Sequence, residues 1–164
     1  MIKVAICDDD IQFIYKLEQS IFRFAEMKRI KVDVDGYTSG AEFIQKLQQS
    51  ERYDLLFLDI ELGDSSGIIV GNWIRSQIQY ESMQIVFVSA KEMYAMQLFD
   101  LRPMNFLVKP IQQERVDYIL DEYERLYQFQ PHIIEIGKGR NSIRIEEHSV
   151  FYLQSLARKI QVVT

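Results

Sequence analysis

The sequence predicts an α/β fold: a doubly wound, five-stranded parallel sheet, for which 2-1-3-4-5 is one common strand order and the one expected here, followed by a small antiparallel β segment. Three observations predict it. Short apolar runs and helical periodicities alternate five times between residues 1 and 130. Most of the runs are apolar throughout, as strands covered on both faces are. After Pro131 the helical spacing stops, and only short strand-like runs follow.

Ile2 to Cys7 is the first buried strand, rich in Val and Ile. Ile11, Ile14, Tyr15, Leu17, Ile21 and Phe22 then recur at helical spacing, so Ile11 to Met27 reads as a helix with Asp10 as its N-cap. Val32 to Tyr37 alternates Val with Asp and reads as a strand exposed on one face. A second helix runs from Ser39 through Leu47, with Glu42 three residues after the cap, the spacing of a capping box. Leu55 to Leu58 is a buried strand ending at Asp59, and a loop with Gly63, Asp64, Ser65, Ser66 and Gly67 leads into a helix from Ile68 to Ile78. Gln84 to Val88 is a strand ending at Ser89, followed by a fourth helix from Lys91 to Phe99. Met104 to Val108 is a strand ending at Lys109-Pro110, and Ile111 to Phe129 is a long fifth helix. Beyond it, Ile133–Ile136, Ser142–Ile145, Val150–Leu153 and Ile160–Val163 read as strands, with a turn at Gly137–Asn141. The domains are therefore drawn at 1–130 and 131–164. The first is long enough to bury its own core, whereas the second is shorter than the ~40 residues that usually fold alone.

Composition narrows the function classes. The chain of 164 residues is 48% hydrophobic with only 3 Pro and 7 Gly, which excludes disordered and collagen-like sequence. No apolar run approaches the roughly 18 residues that span a bilayer. A single cysteine forms no internal disulfide, and that points to a reducing, cytoplasmic setting. The net charge of −5 is unevenly spread: residues 1–130 carry 14 Lys and Arg against 21 Asp and Glu, and residues 131–164 carry 5 against 3. The first part is acidic and the tail mildly basic, which suggests different tasks. His132 and His148, with no cysteine partners, make no zinc pattern.

Functional residues of such sheets lie at the carboxyl ends of the strands. Here those ends carry Asp8 and Asp9, Asp59, Ser89 and Lys109. Converging carboxylates repel and raise one another's pKa, and a divalent cation relieves this; Mg²⁺ takes oxygen ligands. Asp9 and Asp59 are candidate direct ligands, with Asp8 acting through water. One carboxylate of such a set can also act as a nucleophile and form an aspartyl phosphate, with Lys109 and Ser89 contacting phosphoryl oxygens.

Residues 1–128 resemble a response-regulator receiver domain. The resemblance rests on Asp8-Asp9 after the first strand, on Leu56-Phe57-Leu58-Asp59-Ile60 with Gly63 and Gly67, on Val86-Phe87-Val88-Ser89-Ala90, and on Phe106-Leu107-Val108-Lys109-Pro110. It implies the flavodoxin-like receiver fold, with Asp59 as phosphoacceptor. Asp8, Asp9, Asp59 and the backbone carbonyl of Glu61 would hold Mg²⁺, and Lys109 would contact phosphate ahead of a cis proline. Ser89 and Phe106 would be the switch pair. The implied donor is a phosphohistidine on a sensor histidine kinase. The implied activity is self-catalysed phosphotransfer and slow autodephosphorylation, not that of a stand-alone enzyme. The surface around the fourth helix, fifth strand and fifth helix would mediate a homodimer, with Arg102, Arg115 and Asp117 as interface candidates.

The tail resembles the opening of a LytTR-type DNA-binding domain, through Ile134-Glu135-Ile136-Gly137 to Ile145, Val150 to Ser155 and Arg158-Lys159-Ile160. A receiver followed by such a domain is the pairing of accessory-gene-regulator-type transcription regulators. The tail is expected to be a truncated domain, so DNA is a partner of the full-length protein rather than of this chain. Two alternatives stand beside this reading. One is a receiver acting only through protein partners. The other is a Mg²⁺-dependent aspartyl-phosphate phosphatase, which the stretch Asp59-Ile60-Glu61-Leu62-Gly63 does not fit, since such hydrolases carry a second Asp two residues on.

Overall fold

The computed structural model describes the backbone of residues 1–78, 82–128, 133–136, 143–146, 152–156 and 159–163. Its contacts divide the chain into two compact units, Met1–Leu120 and Asp121–Thr164.

In the first unit β1 (Ile2–Cys7), β2 (Val32–Tyr37), β3 (Leu55–Asp59), β4 (Gln84–Ser89) and β5 (Asn105–Val108) form one parallel sheet in the order β2-β1-β3-β4-β5. The order is the expected 2-1-3-4-5, one common solution of the doubly wound class. Every residue of β3 is buried, and so are all but the first residue of β4. β2 is an edge strand and stays half exposed, which is what its Val-Asp alternation encodes. One face of the sheet packs Ala5, Leu56, Leu58, Ile85 and Phe87 against Phe43 and Leu47 of α2 (Gly40–Gln48) and Val70 and Ile74 of α3 (Gly67–Ser76). Alternate strand residues point the other way. There Val4, Ile6 and Phe57 are as fully buried, together with Leu17, Ile21 and Phe24 of α1 (Ile11–Lys28) and Val116, Ile119 and Leu120 of α4 (Gln113–Tyr123). Gln113 Nε2 ties α4 to α1 by donating to the Ser20 carbonyl at 3.0 Å. Burial pushes the Cys7 thiol well above its usual pKa, as expected of an inert core cysteine.

Local capping fixes the helix starts. Asp10 Oδ1 accepts from the Gln12 and Phe13 N–H groups at 2.8 and 3.3 Å. Ser39 Oγ accepts from Glu42 N–H at 3.1 Å, and Ser66 Oγ from Ile68 N–H at 3.3 Å. A second cap on α2 comes from across the fold: the Asp64 carboxylate accepts from Gly40 N–H at 3.1 Å and Ala41 N–H at 3.0 Å. Those bonds hold its pKa below the usual range. A depressed carboxylate pKa stabilises the fold above the unfolded value, and the gain is lost as pH falls through the folded one. Asp64→Ala is therefore expected to cost about 1 kcal/mol at neutral pH, and progressively less below about pH 4. Urea denaturation near neutrality and near pH 3 checks this, and an equal cost at both would contradict it.

Two helices differ from expectation. The fourth, expected as an α-helix from Lys91 to Phe99, is a 3₁₀ helix over Glu92–Leu101. The fifth begins at Gln113, leaves Ile111 and Gln112 outside, and passes after Tyr123 into a π turn over Glu124–Gln128. Apolar spacing of three and four residues does not by itself distinguish 3₁₀, α and π winding.

Among the described residues, the second unit contains two antiparallel pairs. β6 (Ile133–Ile136) pairs with β7 (Ile143–Glu146), and β8 (Tyr152–Leu156) with β9 (Lys159–Val163). The third strand of the tail extends beyond the expected Leu153 to Leu156. The turn expected at Gly137–Asn141 lies outside the described residues, as do Val150 and Phe151.

Candidate functional site

The parallel register brings the strand ends together. Cys7 lies beside Leu58, Asp59 beside Val88, and Ser89 beside Val108, so the residues that end each strand share one edge of the sheet. Asp8 follows β1 directly and is anchored by its N–H, which donates to the Tyr37 carbonyl at 3.0 Å. Lys109 follows β5 and is anchored by its N–H on the Ser89 carbonyl at 2.8 Å. The Lys109–Pro110 bond is cis.

Lys109 is the centre of the site. Its Nζ lies 2.6 Å from Asp8 Oδ2 and 3.0 Å from Asp59 Oδ2. The ammonium also sits 4.3 Å from the ring centroid of Phe13, which walls one side of the site. Asp8 and Asp59 are only 1% and 5% exposed, whereas Asp9 is exposed. Each of the three offers a carboxylate oxygen, and these oxygens lie within 4.8 Å of one another. Asp8 Oδ1 accepts from Asp10 N–H at 3.0 Å. Asp8 Oδ2 is buried, and its contact with Lys109 is an ion pair without the alignment of a hydrogen bond. Burial raises the Asp8 pKa, an effect that Lys109 and the Asp10 N–H oppose and Asp59 reinforces. Burial disfavours the charge on Lys109, but Asp8 and Asp59 outweigh it and hold its pKa above the ordinary lysine value. The donor set is therefore oxygen-only and carboxylate-rich, with an incompletely satisfied buried oxygen. Those features fit a hard divalent cation such as Mg²⁺.

Ser89 is wholly buried at the end of β4, and its Oγ accepts from Lys91 N–H at 3.0 Å. Phe106 lies opposite Phe87 in the β4–β5 register, half-buried against the core. Glu61 N–H donates to Asp59 Oδ1 at 3.4 Å, and Glu61 forms a short antiparallel bridge with Ser66. Its side chain points elsewhere: Oε1 meets Lys91 Nζ at 2.5 Å and Tyr94 Oη at 3.4 Å. Lys91 holds the Glu61 carboxyl below its usual pKa. Lys91, Tyr94, Phe13 and Asp64 carry no local site pattern in the sequence, because their partners lie far away along the chain.

The position of these residues at one sheet edge, with a lysine bridging two buried carboxylates, matches a known architecture. A family model for the response regulator receiver domain matches residues 4–121. The chain belongs to the response regulator receiver domain family. Among curated relatives, this receiver is 29% identical over 151 residues to the sensory transduction protein LytT of Bacillus cereus, a match covering 92% of this chain and 58% of that protein. The chain thus spans about three fifths of that relative's length. Its fold is also that of the response regulatory domain of mrkE from Klebsiella pneumoniae, with a TM-score of 0.67 at 24% identity over 78% of this chain and 99% of that one. A further likeness is to TrrA of Thermotoga maritima, solved in complex with Mg²⁺-BeF, with a TM-score of 0.61 at 23% identity over 75% and 99%. At those identities the solved structures establish the receiver fold. The sequence match establishes homology to LytT-type regulators of two-component systems. Among the described residues, no helix is long and apolar enough to cross a membrane.

Proposed function

We propose that this receiver accepts a phosphoryl group on Asp59 from a phosphohistidine of a sensor histidine kinase. The observation that carries the proposal is the Lys109 ammonium, shared between Asp8 and Asp59 at 2.6 and 3.0 Å. In the transfer, the phosphorus–nitrogen bond of the donor breaks and a phosphorus–oxygen bond to the Asp59 carboxylate forms. The donor imidazole keeps the electron pair and takes up a proton. Asp8, Asp9, Asp59 and the Glu61 backbone carbonyl would hold Mg²⁺, whose charge would offset that of the phosphoryl oxygens. Lys109 then supplies a fixed positive charge for one phosphoryl oxygen, and Ser89 Oγ a hydroxyl for another. Ser89 turning towards the phosphoryl group and Phe106 turning into the vacated space form the proposed switch. Its output is a change of the surface of the 3₁₀ helix, β5 and α4, and with it homodimerisation. On that surface Arg115 stacks over the Tyr118 ring at 5.5 Å.

Residues 131–164 are proposed to begin a LytTR-type DNA-binding domain, with residues 1–130 as the receiver. Two observations support this. The match to LytT covers 151 residues and so runs into the tail. The tail also carries two antiparallel strand pairs. The parent protein then acts in the cytoplasm as a phosphorylation-controlled transcription regulator. Its only chemistry is self-catalysed phosphotransfer and slow autodephosphorylation.

Acetyl phosphate with Mg²⁺ tests the acceptor. The wild-type chain is expected to gain one phosphoryl group by intact mass, and Asp59→Asn none. Equal labelling of the variant would reject Asp59.

A further inference from the structure

The 3₁₀ helix at Glu92–Leu101 is ten residues long, where such helices seldom exceed three or four. Its sequence does not ask for this. Tyr94, Leu98 and Leu101 follow one another at four and three residues, the spacing of one α-helical face. The winding is explained by its two ends.

At the C-terminal end Leu98 and Leu101 are buried. Arg75 Nε donates to the Leu101 carbonyl at 3.2 Å, and Arg75 Nη1 to the Met83 carbonyl at 3.0 Å. At the N-terminal end Lys91 N–H is held by Ser89 Oγ. The Lys91 ammonium and the Tyr94 hydroxyl both close on Glu61 Oε1. The segment is pinned at both ends. Ten residues span about 20 Å as a 3₁₀ helix and about 15 Å as an α-helix, so rewinding would shorten the segment between its two anchored ends.

Winding also decides which side chains are shown. At three residues per turn, Met93, Met96 and Phe99 stack in one line, and they are 72%, 83% and 81% exposed. At 3.6 residues per turn the same three fan across about 120°. In the α form Tyr94 would come into line with Leu98 and Leu101, whereas in the 3₁₀ form it packs beside the core cluster that holds them while its hydroxyl reaches Glu61. Rewinding would therefore change the geometry of the Tyr94–Glu61 contact.

We propose that Glu61, Lys91 and Tyr94 form a clasp that holds this segment stretched as a 3₁₀ helix. Release of the clasp rewinds it to an α-helix and disperses the exposed row Met93, Met96 and Phe99. The clasp shares a loop with Asp59, whose Oδ1 receives the Glu61 N–H, so it lies where a change at the carboxylate cluster is felt first. The proposal rests on contacts of the unmodified chain. It stands or falls separately from the acceptor reading, because its test needs no phosphate.

The experiment is NMR on the whole 164-residue chain, reading backbone contacts between residues i and i+4 across positions 92–101. The wild type is expected to lack them, and Glu61→Lys and Tyr94→Phe to gain them. The double variant Glu61→Lys with Lys91→Glu should lose them again, because the swapped pair restores the clasp. Should a single variant fail to fold, the wild type in about 1 M salt gives the same reading, since the exposed Glu61–Lys91 pair is then screened. There a partial gain of those contacts supports the clasp. Folded single variants with wild-type contacts, i to i+4 contacts already present in the wild type, or an unchanged pattern at high salt would each overturn it.

Discussion

Lys109→Met is expected to lower the rate of phosphoryl uptake from acetyl phosphate by about 100-fold or more, the usual cost of removing one preorganised charge from a developing anion. The same substitution is expected to destabilise the fold by about 3 kcal/mol, because it leaves two buried carboxylates facing one another without their cation. The two effects have one cause. Asp8 and Asp59 have side chains only 1% and 7% exposed, and solvent does little to screen their repulsion. The raised pKa of Lys109 keeps its ammonium charged, so the stabilisation should persist through neutral pH. It is expected to fade only as pH rises past about 10.4, the value of an unfolded lysine, and through the higher folded value. Denaturation midpoints and initial rates of incorporation check both halves. A variant that incorporates phosphoryl groups at the wild-type rate would contradict the role given to Lys109.

Gly67→Val is expected to be the most damaging single change outside the charged residues. A Cβ on Gly67 would stand 2.0 Å from the Asp59 carbonyl oxygen and 3.1 Å from the Ile60 Cα, and both obstacles are backbone. Gly67 N–H donates to the Ile60 carbonyl at 3.0 Å, so the start of α3 rests directly on the end of β3. The helix cannot withdraw without dragging Val70 and Ile74 out of the core. We expect a loss of about 3 kcal/mol or more, at the upper end of overpacking costs, and no labelling of Asp59 in whatever fraction remains folded. Gly63 provides the internal comparison. A Cβ there would meet only the Asp9 side chain, at 3.2 Å, and that carboxylate is exposed and free to shift. Gly63→Ala is accordingly expected to leave the denaturation midpoint nearly unchanged.

The sheet and the strand-end residues were legible in the sequence for a physical reason. A strand buried on both faces must be apolar throughout, so the first polar residue after it marks where the chain leaves the core. Asp8, Asp59, Ser89 and Lys109 each stand at such a boundary, and parallel register does the rest. The convergence of Lys109 on both Asp8 and Asp59 follows from strand order and parallel register together, since β1, β3, β4 and β5 are successive neighbours whose ends align. The helix N-caps at Asp10 and Ser39 were legible too, because a cap acts within three residues of itself.

What the sequence did not disclose depends on distant partners. Asp64 looked like one polar residue in a loop, yet it caps a helix more than twenty residues earlier in the chain. Glu61 was read for its backbone carbonyl, whereas its side chain binds Lys91 and Tyr94. The 3₁₀ winding was hidden because helical periodicity reports which residues face the core, and not how tightly the turn is wound. Its anchors, at Glu61 and Arg75, lie on other elements of the fold.

The central claim is that Asp59, held against Lys109 beside Asp8 and Asp9, is the residue that receives phosphate. Borohydride reduction tests this most directly, because it converts an aspartyl phosphate to homoserine at the modified position. After treatment with acetyl phosphate and Mg²⁺, peptide mapping by mass spectrometry should find homoserine at residue 59 and aspartate unchanged at residues 8, 9 and 64. Homoserine at any of those other positions, or none at residue 59 in a chain that has gained a phosphoryl group, would contradict the account.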